Sequence, residues 1–540
     1  MTMNLPRRIV WVAAVLMTAA AVWQHFNFFT HAGGLWRDEV SICNIGLLPT
    51  LREVWKAVPL ESFPIVFPGL VRLWTAAGFG ATDMGLRVLG MGCGLLLLAS
   101  FWFASRAMDK GLPLLSVALV GLNATVIRYG DTLRGNGLGT ACILITLGLV
   151  WQYVEAPTLR RGCLAALAAV VSVQALYQNA AFVLAMCLGG AAVLIRRGQR
   201  REVPGILGIG LTAAVSLLPY AQPIHEAQGG WEVLRTGFDW SHCWDVINAK
   251  GGMLPFLCGI LVLGAAVAGG VWSLRKAREG ESRARQDLPL FASVAMIVGL
   301  AGFWCFFKLN GLPTKRWYYI LPFGFAAACC DAILPRIHPA ARTGVAIIAV
   351  VVALVQYPAL NSALQWRQTD ADLLAAQVSH NAAREDYVIV NPWFCGYSFA
   401  RYYRGSAPWT TLPPMGDYRF HRYDLIRAKL QMSNPIGPVL EQTEATLRSG
   451  HCVWVVGPLP TLRPDEPSPP SLPPAPTPQY GWSDAPYTTA WGGQLMYFLM
   501  HHGTNSSLLV DPATNHVHAL ENMALLVTRG WRSATPTNSP

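Results

Sequence analysis

The stretch IVWVAAVLMTAAAVWQHFNFF occupies residues 9–29 and contains no Asp, Glu, Lys or Arg. A run of about 20 such residues is long enough to cross the hydrocarbon core of a bilayer as one helix. Arg7 and Arg8 precede it, and LWRDEVS follows it at residues 35–41. Basic residues favour the cytoplasmic side, so the N-terminus is predicted to be cytoplasmic. A cleaved signal peptide is the alternative for this run, and it would also leave the next segment outside.

Long apolar runs continue over the first two thirds of the chain. Hydrophobic residues make up 53% of the sequence and charged residues only 13%, against roughly a quarter in an ordinary soluble domain. The pattern predicts a polytopic α-helical membrane protein with about 11 transmembrane helices. The runs lie at 9–29, 84–105, 112–128, 138–154, 163–178, 180–195, 204–220, 251–272, 288–307, 317–334 and 343–360.

The run 63–79 is ambiguous because it is short and contains Pro64, Pro68 and Arg72. If it does not cross the bilayer, every later basic cluster falls on the side of the N-terminus, as the positive-inside rule requires. We therefore predict an interfacial or re-entrant helix here. The segment 30–83 becomes a first external loop of a transmembrane domain over 1–360, and residues 361–540 form an external domain.

The C-terminal region, 361–540, changes to a mixed polar composition. DYVIV at 386–390 and CVWVV at 452–456 are short β-branched runs between turn residues, and helical patterns alternate with them. This order predicts a C-terminal extracytoplasmic α/β domain. A Pro-rich insertion at 458–478 is expected to be an extended surface loop or linker.

The formal net charge of +11 raises the question of nucleic acid. The basic residues concentrate in hairpins between apolar runs, where membrane topology accounts for them, so no nucleic-acid partner is expected. The sequence leaves the cofactor unknown; it is compatible with a divalent metal but does not require one.

Four short motifs resemble those of the GT-C glycosyltransferases, closest to the protein-mannosyltransferase and aminoarabinose-transferase branch (families 39 and 83). They are Asp38-Glu39; Phe63–Pro68 with Arg72, Phe79-Gly80 and Arg87; Arg128-Tyr129-Gly130-Asp131 with Arg134; and Lys315–Pro322, KRWYYILP. Two features depart from the family pattern. Ser62-Phe63 replaces the usual polar or basic residue before the loop proline, and the insertion 458–478 is unusual.

The resemblance implies an inverting transferase that uses a polyprenyl-phosphate-linked sugar. Such chemistry needs a carboxylate to deprotonate the acceptor and cations for the leaving phosphate. Asp38 is the candidate base, Glu39 a supporting carboxylate or, with Asp38, a metal ligand, and Asp131 a second acid. Donor-phosphate binding is assigned to Lys315, Arg316, Arg72 and Arg134.

Each of these assignments has a structural alternative. Asp38 and Glu39 could only cap a helix, Asp131 could only end one, and Lys315-Arg316 could anchor an aromatic belt. The predicted function is sugar transfer to a lipid, polysaccharide or protein acceptor on the outer face of a bacterial inner membrane. The rival is a lipid-linked glycan flippase without transferase activity. The sequence does not identify the sugar or the acceptor.

Overall fold

The computed structural model describes residues 5–61, 63–248, 264–265, 267–273, 275, 283–337, 341–460, 462–463 and 468–532. The chain forms two compact units. The first, here the membrane unit, comprises Met1–Thr30, Gly46–His225 and Gly237–Leu364. The second, the C-terminal unit, comprises Gln365–Pro540 together with two earlier segments, His31–Ile45 and Glu226–Thr236. The segment that carries Asp38 and Glu39 is therefore part of the C-terminal unit.

The chain is a polytopic helical membrane protein with a C-terminal α/β unit. Within the described residues, eight helical segments are long and apolar enough to cross a bilayer: Arg8–His31, Asp83–Met108, Gly135–Glu155, Asn179–Arg196, Arg200–Leu234, Gln286–Asn310, Arg316–Arg336 and Thr343–Leu364. The segment Arg200–Leu234 includes the helix Ala221–Trp231, and the other described helices up to Leu364 are Arg37–Gly46, Leu51–Ala57, Val66–Ala76, Ala124–Gly130, Leu159–Ala175 and Trp240–Asn248.

Three of the eleven predicted spans differ from these eight. The run 112–128 is broken into a π-helix, Ser116–Gly121, and an α-helix, Ala124–Gly130. Asn123 causes the break, since its side-chain oxygen accepts the backbone N–H groups of Thr125 and Val126 at 2.9 and 3.3 Å and starts a new helix. The run 163–178 forms a helix of 17 residues, Leu159–Ala175. Most of the run 251–272 lies outside the described residues.

The ambiguous run 63–79 contains a short helix, Val66–Ala76, of 11 residues. At 1.5 Å per residue this helix is about 17 Å long, roughly half the thickness of the hydrocarbon core. It cannot cross the bilayer as one helix, which agrees with the prediction that the run is interfacial or re-entrant.

Basic helix ends gather at one end of the membrane unit. Asp287 receives Arg196 Nη2 and Arg197 Nε, each at 2.7 Å, and Arg197 also donates to the carbonyl of Val154 at 2.7 Å. Arg161 donates to the carbonyl of Gln152 at 2.8 Å. The turns after Glu155 and Arg196 and the start of the helix Arg283–Asn310 therefore lie side by side.

A buried carboxylate supports the broken helix near the same end. Asp331, on the helix Ile320–Ile337, accepts hydrogen bonds from the backbone N–H groups of Leu115 and Ser116 at 2.9 and 3.0 Å. It also accepts the Ser116 hydroxyl at 2.7 Å. Backbone donors inside a bilayer need internal partners, and Asp331 supplies them.

The C-terminal unit is built on a five-stranded sheet with the order β2-β1-β3-β5-β4. The strands are β1 Tyr387–Val390, β2 Trp409–Thr411, β3 Cys452–Gly457, β4 Gly503–Val510 and β5 Ala524–Trp531. β1 pairs in parallel with β2 and β3, whereas β5 is antiparallel to β3 and β4. Helices of this unit beyond residue 364 are Ala371–Asn381, Gly396–Tyr402, Tyr423–Leu430, Gly437–Arg448 and Ala485–His502.

The two runs predicted to be buried strands, DYVIV and CVWVV, become β1 and β3 at the centre of this sheet. Val388 and Val390 of β1 are fully buried and share a core with Leu374 and Phe399 from the flanking helices. Parallel pairing of β1 with β3 requires a long crossover, which the intervening helices provide. The C-terminal α/β prediction is confirmed.

The Pro-rich insertion 458–478 lies against the helix Ala485–His502. Gln494 donates to the carbonyl of Pro470 at 2.7 Å, and a Cβ on Gly493 would meet Pro470 Cγ at 2.7 Å. Residues 461 and 464–467 of the insertion lie outside the described residues. Its described part therefore packs against this helix at Pro470.

Candidate functional site

Asp38 lies in the first turn of the helix Arg37–Gly46, within the C-terminal unit. Its Oδ1 is 3.3 Å from His421 Nε2 and 3.7 Å from Arg37 Nε. The Asp38 side chain keeps 13% of its surface exposed, whereas that of His421 keeps 7%. A partly accessible carboxylate beside an imidazole and a guanidinium has the chemistry of a proton acceptor.

Glu39 is oriented differently from its neighbour. Its side chain is fully buried, and Oε2 accepts the backbone N–H of Trp36 at 3.2 Å. Trp36 directly precedes the helix, so this contact closes the first helical turn, as in a capping box. The adjacent acids thus have separate environments: Glu39 contacts the backbone of Trp36, and Asp38 contacts His421.

Arg37 connects the start of the helix to a buried acidic cluster. Its backbone N–H donates to Glu521 Oε1 at 3.0 Å, and its guanidinium donates to the carbonyl of Leu520 at 2.9 Å. Burial raises the pKa of Glu521, and the charge of Arg37 opposes that shift. Burial also raises the pKa of Asp370 to about 7, although its carboxylate accepts the backbone N–H of Met523.

Asp131 lies in the membrane unit, at the C-terminal end of the helix Ala124–Gly130. Its two oxygens are 2.7 and 2.9 Å from Nδ1 of His25, on the first span. Burial raises the pKa of Asp131 to about 6, while His25 and Arg87 oppose the shift. A carboxylate gains nothing from the dipole at a helix C-terminus, so simple capping does not account for it.

Two glycines on the helix Asp83–Asp109 make room for Asp131. A Cβ on Gly94 would lie 1.8 Å from Asp131 Oδ1, and one on Gly90 would lie 2.0 Å from the Asp131 carbonyl oxygen. The carboxylate also borders a small cleft that is lined by Phe28, Phe29, Arg87, Met91 and Asp131. Close helix approach through small residues therefore fixes the position of this acid.

The motifs around Arg134 and Trp317 meet in the membrane unit. The ring of Tyr129 lies 5.1 Å from that of Trp317, and the Arg134 guanidinium lies over the rings of Phe63 and Trp317 at 5.0 and 5.5 Å. Arg134 is a buried cation held between aromatic faces. Three of the four motifs named from the sequence contribute to this cluster.

The remaining predicted phosphate ligands occupy different surroundings. Arg72 donates to the carbonyls of Leu48 and Pro49, which fixes the first loop. Lys315 is exposed, and Arg316, half-buried, begins the short 3₁₀ turn Arg316–Tyr319 before the next helix. The assignment of these cations to phosphate stays a prediction.

Sequence reasoning missed His25, His421 and Glu521. His25 lies between Gln24 and Asn27 near the end of an apolar run, and His421 lies 383 positions after Asp38. One local feature of the sequence pointed to His25: a histidine inside a membrane span is energetically costly unless it has a partner.

Within the described ranges, no group of three or more His, Cys, Asp or Glu side chains could hold a metal ion. The assignment of a metal to Asp38 and Glu39 remains a prediction.

No protein-family model matches the chain, and no curated protein matches it. Among solved structures, ArnT from Cupriavidus metallidurans bound to undecaprenyl phosphate resembles it with a TM-score of 0.47 and 16% identity, over 83% of this chain and 93% of ArnT. The Archaeoglobus fulgidus oligosaccharyltransferase, tethered by a disulfide to an acceptor peptide containing the NVT sequon, resembles it with a TM-score of 0.44 and 12% identity. That similarity covers 98% of this chain and 74% of the other. Both solved structures are GT-C fold glycosyltransferases, the class that the sequence motifs resemble.

Proposed function

We propose that the protein is an inverting membrane glycosyltransferase that takes a sugar from a polyprenyl-phosphate-linked donor. The observation that carries the proposal is the Asp38 carboxylate, which is partly accessible and has His421 and Arg37 on one oxygen. Asp38 removes the proton of an acceptor hydroxyl or amine as that group attacks the anomeric carbon. The bond to the phosphate oxygen breaks in the same step, which inverts the configuration.

The leaving phosphate requires cations in a dry environment. Arg134 is buried between the rings of Phe63 and Trp317, and Lys315 and Arg316 directly precede Trp317 in the chain. A guanidinium binds phosphate oxygens in a fork. We assign these three cations to the donor phosphate and Asp131 to a second acid in the membrane unit.

The reaction is assigned to the outer face of the membrane. The basic turns after Glu155 and Arg196 lie at one end of the membrane unit, where Arg197 reaches the carbonyl of Val154. Arg134 and Trp317 lie at the N-terminal ends of the helices Gly135–Glu155 and Ile320–Ile337, away from that basic end, and the ring of Tyr129 contacts that of Trp317. Positive-inside orientation then places the basic end in the cytoplasm.

The rival function, a flippase, predicts ionisable side chains that serve a path through the membrane. Asp331 is a buried carboxylate within a candidate span, but it is bonded to the backbone of Leu115 and Ser116. Its contacts support a structural role in the broken helix. This observation favours the transferase.

The test is mass spectrometry of envelope glycans in a deletion strain that is complemented with variants. Asp38→Asn should fail to restore the transferred sugar, because an amide cannot accept the proton. Glu444→Gln is the matched control, since it neutralises an acid in the same unit that pairs only at the surface, with Arg448 at 2.7 Å. Restoration by Asp38→Asn would reject Asp38 as the base.

The orientation of the protein in the membrane is tested with single-cysteine variants and a membrane-impermeant maleimide. Cys452 begins β3 and is half-buried, whereas Cys395 is buried, so Cys452 is the useful probe. Cys163 is exposed and follows the basic pair Arg160-Arg161. Intact spheroplasts should label Cys452 and spare Cys163 until lysis; the reverse pattern would invert the proposed orientation.

A further inference from the structure

One hydrogen bond and two aromatic contacts hold His421 in the C-terminal unit. Its backbone N–H donates to Ser41 Oγ at 3.3 Å. Its ring lies edge-on to Tyr397 with centroids 4.8 Å apart, and it stacks on Tyr423 at 5.7 Å with an interplanar angle of 8°. Aromatic contacts on two sides restrict rotation of the imidazole. The ring therefore has one defined orientation, with Nε2 towards Asp38.

Tyr397, one of the two tyrosines beside the His421 ring, is itself held in place. Tyr397 is fully buried, and its hydroxyl accepts the backbone N–H of Arg422 at 3.2 Å. Because Arg422 directly follows His421, this hydrogen bond ties the same stretch of backbone to the helix Gly396–Tyr402. The orientation of His421 thus depends on the fold of the C-terminal α/β unit.

The other cation near Asp38 is engaged elsewhere. The Arg37 guanidinium contacts the carbonyl of Leu520 at 2.9 Å, Glu521 Oε1 at 3.5 Å and the ring of Phe394 at 4.5 Å. Its distance to Asp38, 3.7 Å, exceeds that of His421. Arg37 supplies charge near the carboxylate, but the His421 nitrogen lies closer to it.

We propose that His421 is a positioning residue for Asp38, supplied to the reaction by the C-terminal unit. A His421 tautomer with its proton on Nε2 directs that proton towards Asp38 Oδ1, 3.3 Å away, and so orients the carboxylate. This inference rests on the proposed transferase function. It assigns the C-terminal unit a direct part in sugar transfer, because the base is oriented only when that unit is folded around it.

Two substitutions at this position separate hydrogen bonding from packing. His421→Phe keeps a ring between Tyr397 and Tyr423 but removes the donor. His421→Gln loses the ring but places an amide N–H near the position of Nε2. If His421 positions Asp38, kcat should fall about 100-fold in His421→Phe, as expected for a misplaced catalytic group, and KM should stay within about twofold. His421→Gln should recover most of that loss.

A purely structural role predicts the opposite order, since the variant that keeps the aromatic packing would then be the better enzyme. The matched control is the same pair of substitutions at His451, which directly precedes β3. Transfer by His421→Phe at the wild-type kcat would overturn the proposal.

The double variant Asp38→Asn/His421→Phe gives a readout that does not need activity. If the two side chains are in contact, their effects on the thermal unfolding midpoint are not additive. Additive midpoints would overturn the contact itself. Absence of transfer by the wild-type protein with every polyprenyl-phosphate sugar tried would instead reject the proposed function, whatever the midpoints show.

Discussion

Gly94 on the helix Asp83–Asp109 has no room for a methyl group, because Asp131 Oδ1 occupies the place where its Cβ would lie. The distance would be 1.8 Å, and real Cβ atoms essentially never approach within 3.0 Å. In Gly94→Ala the carboxylate must therefore move by at least about 1.2 Å, which a close-packed interior resists. The 2.7 Å contact with His25 would not survive that movement.

The cost can be bounded from its parts. Overpacking a filled site costs about 1–3 kcal/mol, and a lost hydrogen bond to a charged group costs about 1.5–3 kcal/mol. Alanine in place of glycine stabilises a helix by up to about 1 kcal/mol, which offsets part of this cost. We expect Gly94→Ala to lower the free energy of unfolding by about 1.5–6 kcal/mol and to impair sugar transfer if Asp131 is a second acid.

Gly92 provides a matched control on the same helix, because a Cβ there would meet no atom within 4 Å. Gly92→Ala should leave stability unchanged or raise it by up to about 1 kcal/mol. The assay is the thermal unfolding midpoint in detergent, followed by tryptophan fluorescence. Equal midpoints for the two alanine variants would show that Asp131 does not lie against Gly94.

Two further predictions concern buried carboxylates. Asp331→Leu should lower the unfolding midpoint more than Asp331→Asn, because leucine leaves the N–H groups of Leu115 and Ser116 without an acceptor. Each buried N–H group without an acceptor destabilises the fold by about 1–3 kcal/mol. A larger decrease for Asp331→Asn would reject this structural role. Asp370 has a folded-state pKa of about 7, raised by burial, so its contribution to stability is present at low pH and is lost as pH rises from the unfolded-state value towards 7. Unfolding midpoints between pH 4 and pH 8 should fall more steeply for the wild type than for Asp370→Asn, and parallel curves would contradict the shift.

The membrane architecture was predictable because it depends on local composition. A charge-free apolar run of bilayer length has few alternatives to a spanning helix, and eight of the predicted runs appear as such helices in the described residues. β1 and β3 were recognisable for the same reason, since short β-branched runs between turns suit a buried strand. The break at Asn123 was not anticipated, because hydropathy does not register a single side chain that caps a new helix.

The candidate acids were also visible in the sequence, but their partners were not. Asp38 and Asp131 were found from their position beside apolar runs and from the resemblance of their motifs to those of the GT-C glycosyltransferases. Tertiary structure alone joined Asp38 to His421 and Asp131 to His25, and it placed His31–Ile45 in the C-terminal unit. Local patterns specify which segments are buried, whereas contacts between side chains hundreds of positions apart depend on how the helices and the sheet pack, and no short window of sequence contains that information.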